Sequence, residues 1–170
     1  YGTASEPYVY DKESDTNIAL KFTHRLSKVV LKFMDMEKNP LTVSDVKILG
    51  MPVSAAFNVQ TGALTTDDNS VADITPYVNS ANNYREAIIL PVALSDAYKV
   101  SFVLDGRTRE WVFADLDISL PKFNAGSQYT FGIYIDPTED IIIGRLEDVD
   151  AGNSSAPWED GSNENGTADG

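Results

Sequence analysis

Apolar and polar side chains alternate from Asn17 onward, and the alternation slips once. Ile18, Leu20, Phe22, His24 and Leu26 hold even positions, with Lys21, Thr23 and Arg25 between them. That is the period of a half-buried strand. From Val29 the strongest apolar set is odd: Val29, Leu31 and Phe33. A change of parity means a bulge or a turn near Ser27-Lys28. The stretch offers no Gly, Pro, Asn or Asp for a tight turn. The pattern therefore predicts one long bent strand with a bulge. Phe22 and Leu26 would share a core layer, which Leu31 and Phe33 continue.

Val43, Val46 and Ile48 predict the next strand, bounded by Asn39-Pro40 and Gly50. Ala55, Phe57 and Val59 alternate before Thr61-Gly62, a hairpin signal. Residues 65–84 are rich in Thr, Asp, Asn and Ser and predict a long surface loop with at most a short helical turn. Ile88-Ile89-Leu90 before Pro91 reads as the end of a buried strand. Tyr98, Val100, Phe102 and Leu104 then alternate up to Asp105-Gly106, a dipeptide that favours a type I′ turn. That turn fixes a register: Leu104 opposite Arg107, Phe102 opposite Arg109, Val100 opposite Trp111, Tyr98 opposite Phe113. Directly paired residues share a face. Trp111 and Phe113 then fall on the core side, and both arginines fall near the tip, in reach of water. Tyr129, Phe131, Ile133 and Ile135 follow the Asn124-Ala125-Gly126 turn, and Ile141-Ile142-Ile143 predicts a last short strand.

About seven to eight short strands with turns between them, and no long helical pattern, predict an all-β antiparallel sandwich. Residues 1–16 read as a linker or lead-in, 17–146 as the sandwich domain, and 147–170 as an acidic Gly/Asn/Ser-rich tail, largely disordered. That tail holds Glu147, Asp148, Asp150, Glu159, Asp160, Glu164 and Asp169 with no Lys or Arg.

Composition removes several function classes. With 170 residues the chain can build one full core. Its formal net charge of -13 opposes duplex nucleic acid, which is bound by neutralising phosphates. The same charge opposes an anionic membrane surface. No cysteine is present, so disulfides and thiolate metal sites are excluded. No run approaches the roughly 18 apolar residues of a membrane-spanning helix.

Candidate chemistry is thin. His24 is the only histidine and sits on the apolar parity, the place of a packed structural residue. A Ser-His-Asp triad would have to use it, and no Gly-x-Ser-x-Gly turn accompanies it. Asp67-Asp68-Asn69 and Asp148-x-Asp150 offer oxygen ligands for calcium, but neither fits EF-hand spacing, and solvated acidic loops are the plainer reading. Among 26 acids, chance carboxylate pairs carry no glycosidase signal. Trp111 and the tyrosines could form a sugar-stacking platform, yet the register above buries Trp111. Trp158 stands in a polar tail, where it would plug the sandwich end or meet a partner. Asn153-Ser154-Ser155 and Asn165-Gly166-Thr167 match a glycosylation pattern by coincidence. No catalytic residue, metal site or cofactor is predicted.

Four segments, in order, resemble the fimbrillin family, the pilin and pilin-like lipoproteins of Bacteroides-type bacteria that build type V pili. They are Phe22-x-His24-x-Leu26-Ser27-Lys28-Val29; the Ile89-Leu90-Pro91 step with the Trp111 strand; Phe123-Asn124-Ala125-Gly126-Ser127-Gln128-Tyr129-Thr130-Phe131; and Trp158-Glu159-Asp160-Gly161. Each is short, and their order and spacing carry the likeness. The resemblance implies a transthyretin-like Greek-key sandwich and a C-terminal domain, with Tyr1-Gly2 at an inter-domain junction. A lipid anchor would then lie on the N-terminal part. It also implies other pilus subunits as partners, joined by strand exchange, with cell-surface display and a host or bacterial surface ligand. A donor strand needs alternating apolar residues. The tail lacks them and contains Pro157, which suits a tip or accessory subunit better than a stalk subunit. The expected function is a non-enzymatic surface structural or adhesion protein. The rival is a carbohydrate-binding module of a surface polysaccharide system.

Overall fold

The structure is a computed structural model that describes residues 2–3, 21–22, 24–116, 120–147 and 156–157. Alternation of β-branched and aromatic residues with polar ones produces strands almost throughout. In chain order they are β1 (Gly2–Thr3), β2 (Lys21–Phe22), β3 (Ser27–Asp35), β4 (Ser44–Pro52), β5 (Ala55–Phe57), β6 (Leu64–Thr66) and β7 (Val71–Ile74). There follow β8 (Tyr77–Asn79), β9 (Tyr84–Ile89), β10 (Lys99–Leu104), β11 (Arg107–Val112), β12 (Ser127–Asp136), β13 (Ile141–Leu146) and β14 (Ala156–Pro157). The one helical element among the described residues is a 3-10 turn, Phe113–Asp115.

Two sheets form the sandwich. One has the order β11-β10-β4-β7 and the other β13-β12-β3-β9-β8. Pairing is antiparallel except between β3 and β12, which run parallel from Lys28↔Gln128 to Asp35↔Ile135. The all-β sandwich thus has one mixed sheet. A parallel pair needs a long connection, and here most of the chain lies between the two strands. Both strands are central, with a paired strand on each outer edge.

The facing side chains make one core. Val29, Leu31 and Phe33 of β3 and Tyr129, Phe131, Ile133 and Ile135 of β12 meet Val100, Phe102, Ile48 and Trp111 of the other sheet. Aromatic rings fill its centre. Phe113 packs edge-on against Phe131 at 5.2 Å, Phe123 at 5.5 Å and Trp111 at 5.1 Å between ring centroids. Such contacts add to the area they bury.

The β10–β11 hairpin has the register that its turn implies: Leu104↔Arg107, Phe102↔Arg109 and Val100↔Trp111. Asp105 and Gly106 both take positive φ (52° and 75°), as a type I′ turn requires. Strand β4 explains why Val46, Ile48 and Met51 are all buried despite mixed parity. Between Ser101 and Val103 of β10, β4 runs from Lys47 to Ser44, one residue more than its partner. Asp45 takes φ 49° there. A second extra residue falls between Ile48 and Met51, where Gly50 has φ 72°. Each bulge turns the side chains over. The strand also continues past Gly50 to Pro52, beyond the expected boundary.

Several expectations are corrected. The first run is not one bent strand. Residues 24–26 are outside any strand, and β2 pairs with β1 in a separate ribbon, Gly2↔Phe22. Leu26 is 36% exposed and Ser27 is fully buried, so the change of parity marks a break where the chain enters the sheet. Residues 65–84 are not one loop: β7 and β8 are edge strands within them. The Thr61-Gly62 hairpin exists as β5–β6, with Phe57↔Leu64, but Phe57 and Val59 point outward. Ile88 is exposed while Ile89 is buried. Arg109 is buried and does not reach water, because the facing sheet covers the hairpin well toward its tip.

Of the lead-in, Gly2–Thr3 lie in the β1–β2 ribbon. Of the tail, Glu147 donates its N–H to Thr130 O (2.9 Å), and Ala156–Pro157 pair with Gln128 and Ser127. Asp148, Asp150, Asn153, Trp158 and Asn165 lie outside the described residues.

Candidate functional site

The two densest motif segments meet in space. Ser27 Oγ donates to Asn124 O (2.8 Å), and Gly126 N–H donates to Leu26 O (2.9 Å). The Tyr129 hydroxyl accepts the Asn124 N–H (2.7 Å) and so caps the turn from inside. Gly126 has φ 73°, a conformation glycine adopts without strain, and a Cβ there would press on His24 O at 3.1 Å. Ser27, Asn124, Gly126 and Tyr129 thus form a lock that starts the parallel β3–β12 pairing at Lys28↔Gln128. His24 lends its backbone to this lock. Its side chain is half-buried.

The outer face of the larger sheet carries a charge network. Lys28 pairs with Glu86 (2.9 Å), and Asn79 Nδ2 donates to the same carboxylate (2.8 Å). The Asn79 amide, with help from Lys28 and against burial, holds the Glu86 carboxyl below its ordinary range. Lys32 pairs with Glu147 (2.8 Å) and lies 4.9 Å from the Tyr84 ring centre. Burial pulls the Lys32 ammonium down, yet Glu147 and Tyr84 together raise it overall. The Tyr134 hydroxyl donates to Glu147 (2.9 Å), and burial with that bond raises its pKa. This network pins Glu147, the first residue of the acidic tail, against β12.

The two sides of the sandwich differ. On one side β11 and β13 close over each other. The Trp111 indole occupies the space where Gly144 has no side chain, and a Cβ there would overlap Trp111 Cζ2 and Cε2. Arg109 ion-pairs with Asp140, a carboxylate 72% exposed at the surface. The Arg109 Nε has no hydrogen-bond partner among the described residues. Sequence reasoning missed this contact, although Arg109 shares the parity of Trp111 and Phe113. On the other side β7 and β8 are the edge strands of their sheets among the described residues, joined through Thr75-Pro76. They expose Val71 (56%), Tyr77 (69%) and Val78 (49%).

Among the sequence candidates, Trp111 is 4% exposed and belongs to the core. The Asp67 carboxylate accepts the Asn69 N–H (3.1 Å) and shapes the β6–β7 turn. No group of three or more His, Cys, Asp or Glu with metal-binding geometry occurs among the described residues.

The model of the fimbrillin-like family matches residues 9–147. The chain belongs to that family. No curated protein matches the sequence. A solved structure of a candidate cell adhesion protein from Bacteroides uniformis is 25% identical, with TM-score 0.62, over 77% of this chain and 53% of that one. A second, from Bacteroides ovatus, is 15% identical, with TM-score 0.57, over 85% of this chain and 49% of that one. The fimbrillin-like chain thus spans about half the length of these solved relatives. The Ser27–Asn124–Gly126–Tyr129 lock shows what the motif residues do physically in this member: they join the two central strands.

Proposed function

We propose that this fimbrillin-like chain is a non-enzymatic module of the cell surface. It acts as a structural or adhesion subunit of a fimbrium or outer-membrane assembly, and its working part is the sandwich of residues 17–146. Family membership over residues 9–147 is the observation that carries the reading. The solved relatives described as cell adhesion candidates support it. Partners are other pilus subunits, joined by strand addition. Support for that mode comes from the open β7 and β8 edges, whose unpaired backbone groups and exposed Val71, Tyr77 and Val78 suit an added strand. The subunit is of accessory or tip type. Residues 147–170 hold no alternating apolar run, and Pro157 would weaken a donor strand.

The rival, a sugar-binding module built on a row of exposed aromatics, has less support. Trp111 is buried, and the exposed Phe57 and Tyr77 lie in different sheets.

The test uses the full-length gene product in its own cell. Antibody should label intact cells, and unboiled gels should show ladders only when partner subunits are present. Val71→Lys with Tyr77→Lys should lower incorporation while leaving stability within about 0.5 kcal/mol. Labelling confined to lysed cells would remove the surface role. Ladders from this subunit alone would remove the accessory role.

A further inference from the structure

Arg85 lies on the inward parity of β9, opposite Leu31 and Val78, and is 7% exposed. A buried guanidinium normally meets a carboxylate. This one meets only neutral oxygens. Its Nη1 donates to Asn83 O (2.7 Å) and Asn83 Oδ1 (2.9 Å), and its Nη2 donates to Val43 O (3.0 Å). The ion pairs among the described residues are Lys28–Glu86, Lys32–Glu147, Lys99–Glu110 and Arg109–Asp140, and none includes Arg85. Burial also lowers its pKa, the mark of a cation short of counter-charge. The hydrogen bonds of Arg85 among the described residues all come from Nη1 and Nη2, and a guanidinium with a donor to spare matches a carboxylate.

Beside Arg85 is a cavity of about 300 Å³. It lies where β4 runs beyond its pairing with β7. Strand β4 pairs with β7 only from Ile48 onward, so among the described residues Ser44–Lys47 have no strand on that side. Val78 and Pro76 give the cavity apolar wall, Ser44 and Thr75 give hydroxyls, and Lys47 adds a second cation at the mouth. Asp45 also lines it, exposed and beside Ser44 Oγ at 3.4 Å. A pocket of this size holds a small molecule of monosaccharide scale.

The geometry points to a binding site for a small carboxylated sugar, its carboxylate on Arg85 and Lys47 and its hydroxyls on Ser44, Asp45 and Thr75. The cations select the acid, and the Ser44 and Thr75 hydroxyls beside the apolar Pro76 and Val78 suit the mixed faces of a sugar ring better than a bare anion. The lining of the site comes from this chain alone.

The probe is D-glucuronate, titrated into the 15N-labelled full chain and followed by amide NMR. Saturable shifts are expected at Ser44–Lys47, Thr75 and Val78. Glucose should give none, and acetate should give the same shifts more weakly. Val78→Trp alters an exposed wall residue, so the fold is kept, and it should abolish the shifts. Lys47→Gln should weaken binding, and Arg85→Lys should weaken it about tenfold or more, as expected for lost hydrogen bonds to a charged group. If Arg85→Lys does not fold, Val78→Trp and Lys47→Gln decide the matter. Absence of saturable shifts, equal binding of glucose, or unchanged binding by Val78→Trp would each overturn the site.

Discussion

Two residues show how position fixes the role of a side chain. Gly144 is the space under Trp111. Gly144→Ala drives a methyl into the indole, and overpacking of this kind costs about 1–3 kcal/mol. Urea unfolding should show that loss, and a variant as stable as the parent would mean that the indole packs elsewhere. Glu86 has a partner on each side, Lys28 and Asn79, and its folded pKa is depressed. A depressed carboxyl contributes stability above its unfolded pKa of about 4.3 and loses it as pH falls through the folded value. Glu86→Gln should therefore be less stable than the parent at pH 7, by about 1 kcal/mol. The gap should close as the pH is lowered below about 4. Unfolding curves at stepped pH check this, and a gap that persists in acid would mean that the charge of Glu86 is irrelevant.

At the scale of elements, turns and bulges set the register of this sandwich. The Asp105-Gly106 turn places Trp111 against Val100 and brings Arg109 level with Phe102. Gly106 holds φ 75° with nothing within 4 Å of where a Cβ would stand. Gly106→Ala therefore pays only backbone strain, about 1–2 kcal/mol, with the packing unchanged. Calorimetry should show a lower Tm with the same near-UV circular dichroism, and a changed spectrum would place the turn in contact with the core. The two bulges in β4 act differently. They turn Val46 and then Met51 inward. The β7 pairing starts only at Ile48, so among the described residues Ser44–Lys47 have a paired strand on the β10 side alone. The parity of Val43, Val46 and Ile48 showed that a strand was there, while its extra residues became visible only against the partners in β10 and β7.

Across the whole molecule, the sandwich has one closed side and one open side. Trp111 in the Gly144 space and the Arg109–Asp140 pair join the sheets at β11 and β13. At β7 and β8 the sheets remain apart, and there the cavity and the exposed apolar side chains occur. Local alternation, turn chemistry and charge balance are properties of neighbouring residues, so the sequence by itself determined the all-β class, the β10–β11 register, the burial of Trp111 and the family likeness. Pairing between distant strands depends on which faces must be buried together. Only the tertiary structure therefore decided that β3 and β12 run parallel and that Leu26 stands at the surface while Arg109 is drawn inside. The same holds for Arg85, which lies buried without a carboxylate beside an open cavity, because a charge buried by remote strands leaves no trace in the residues next to it.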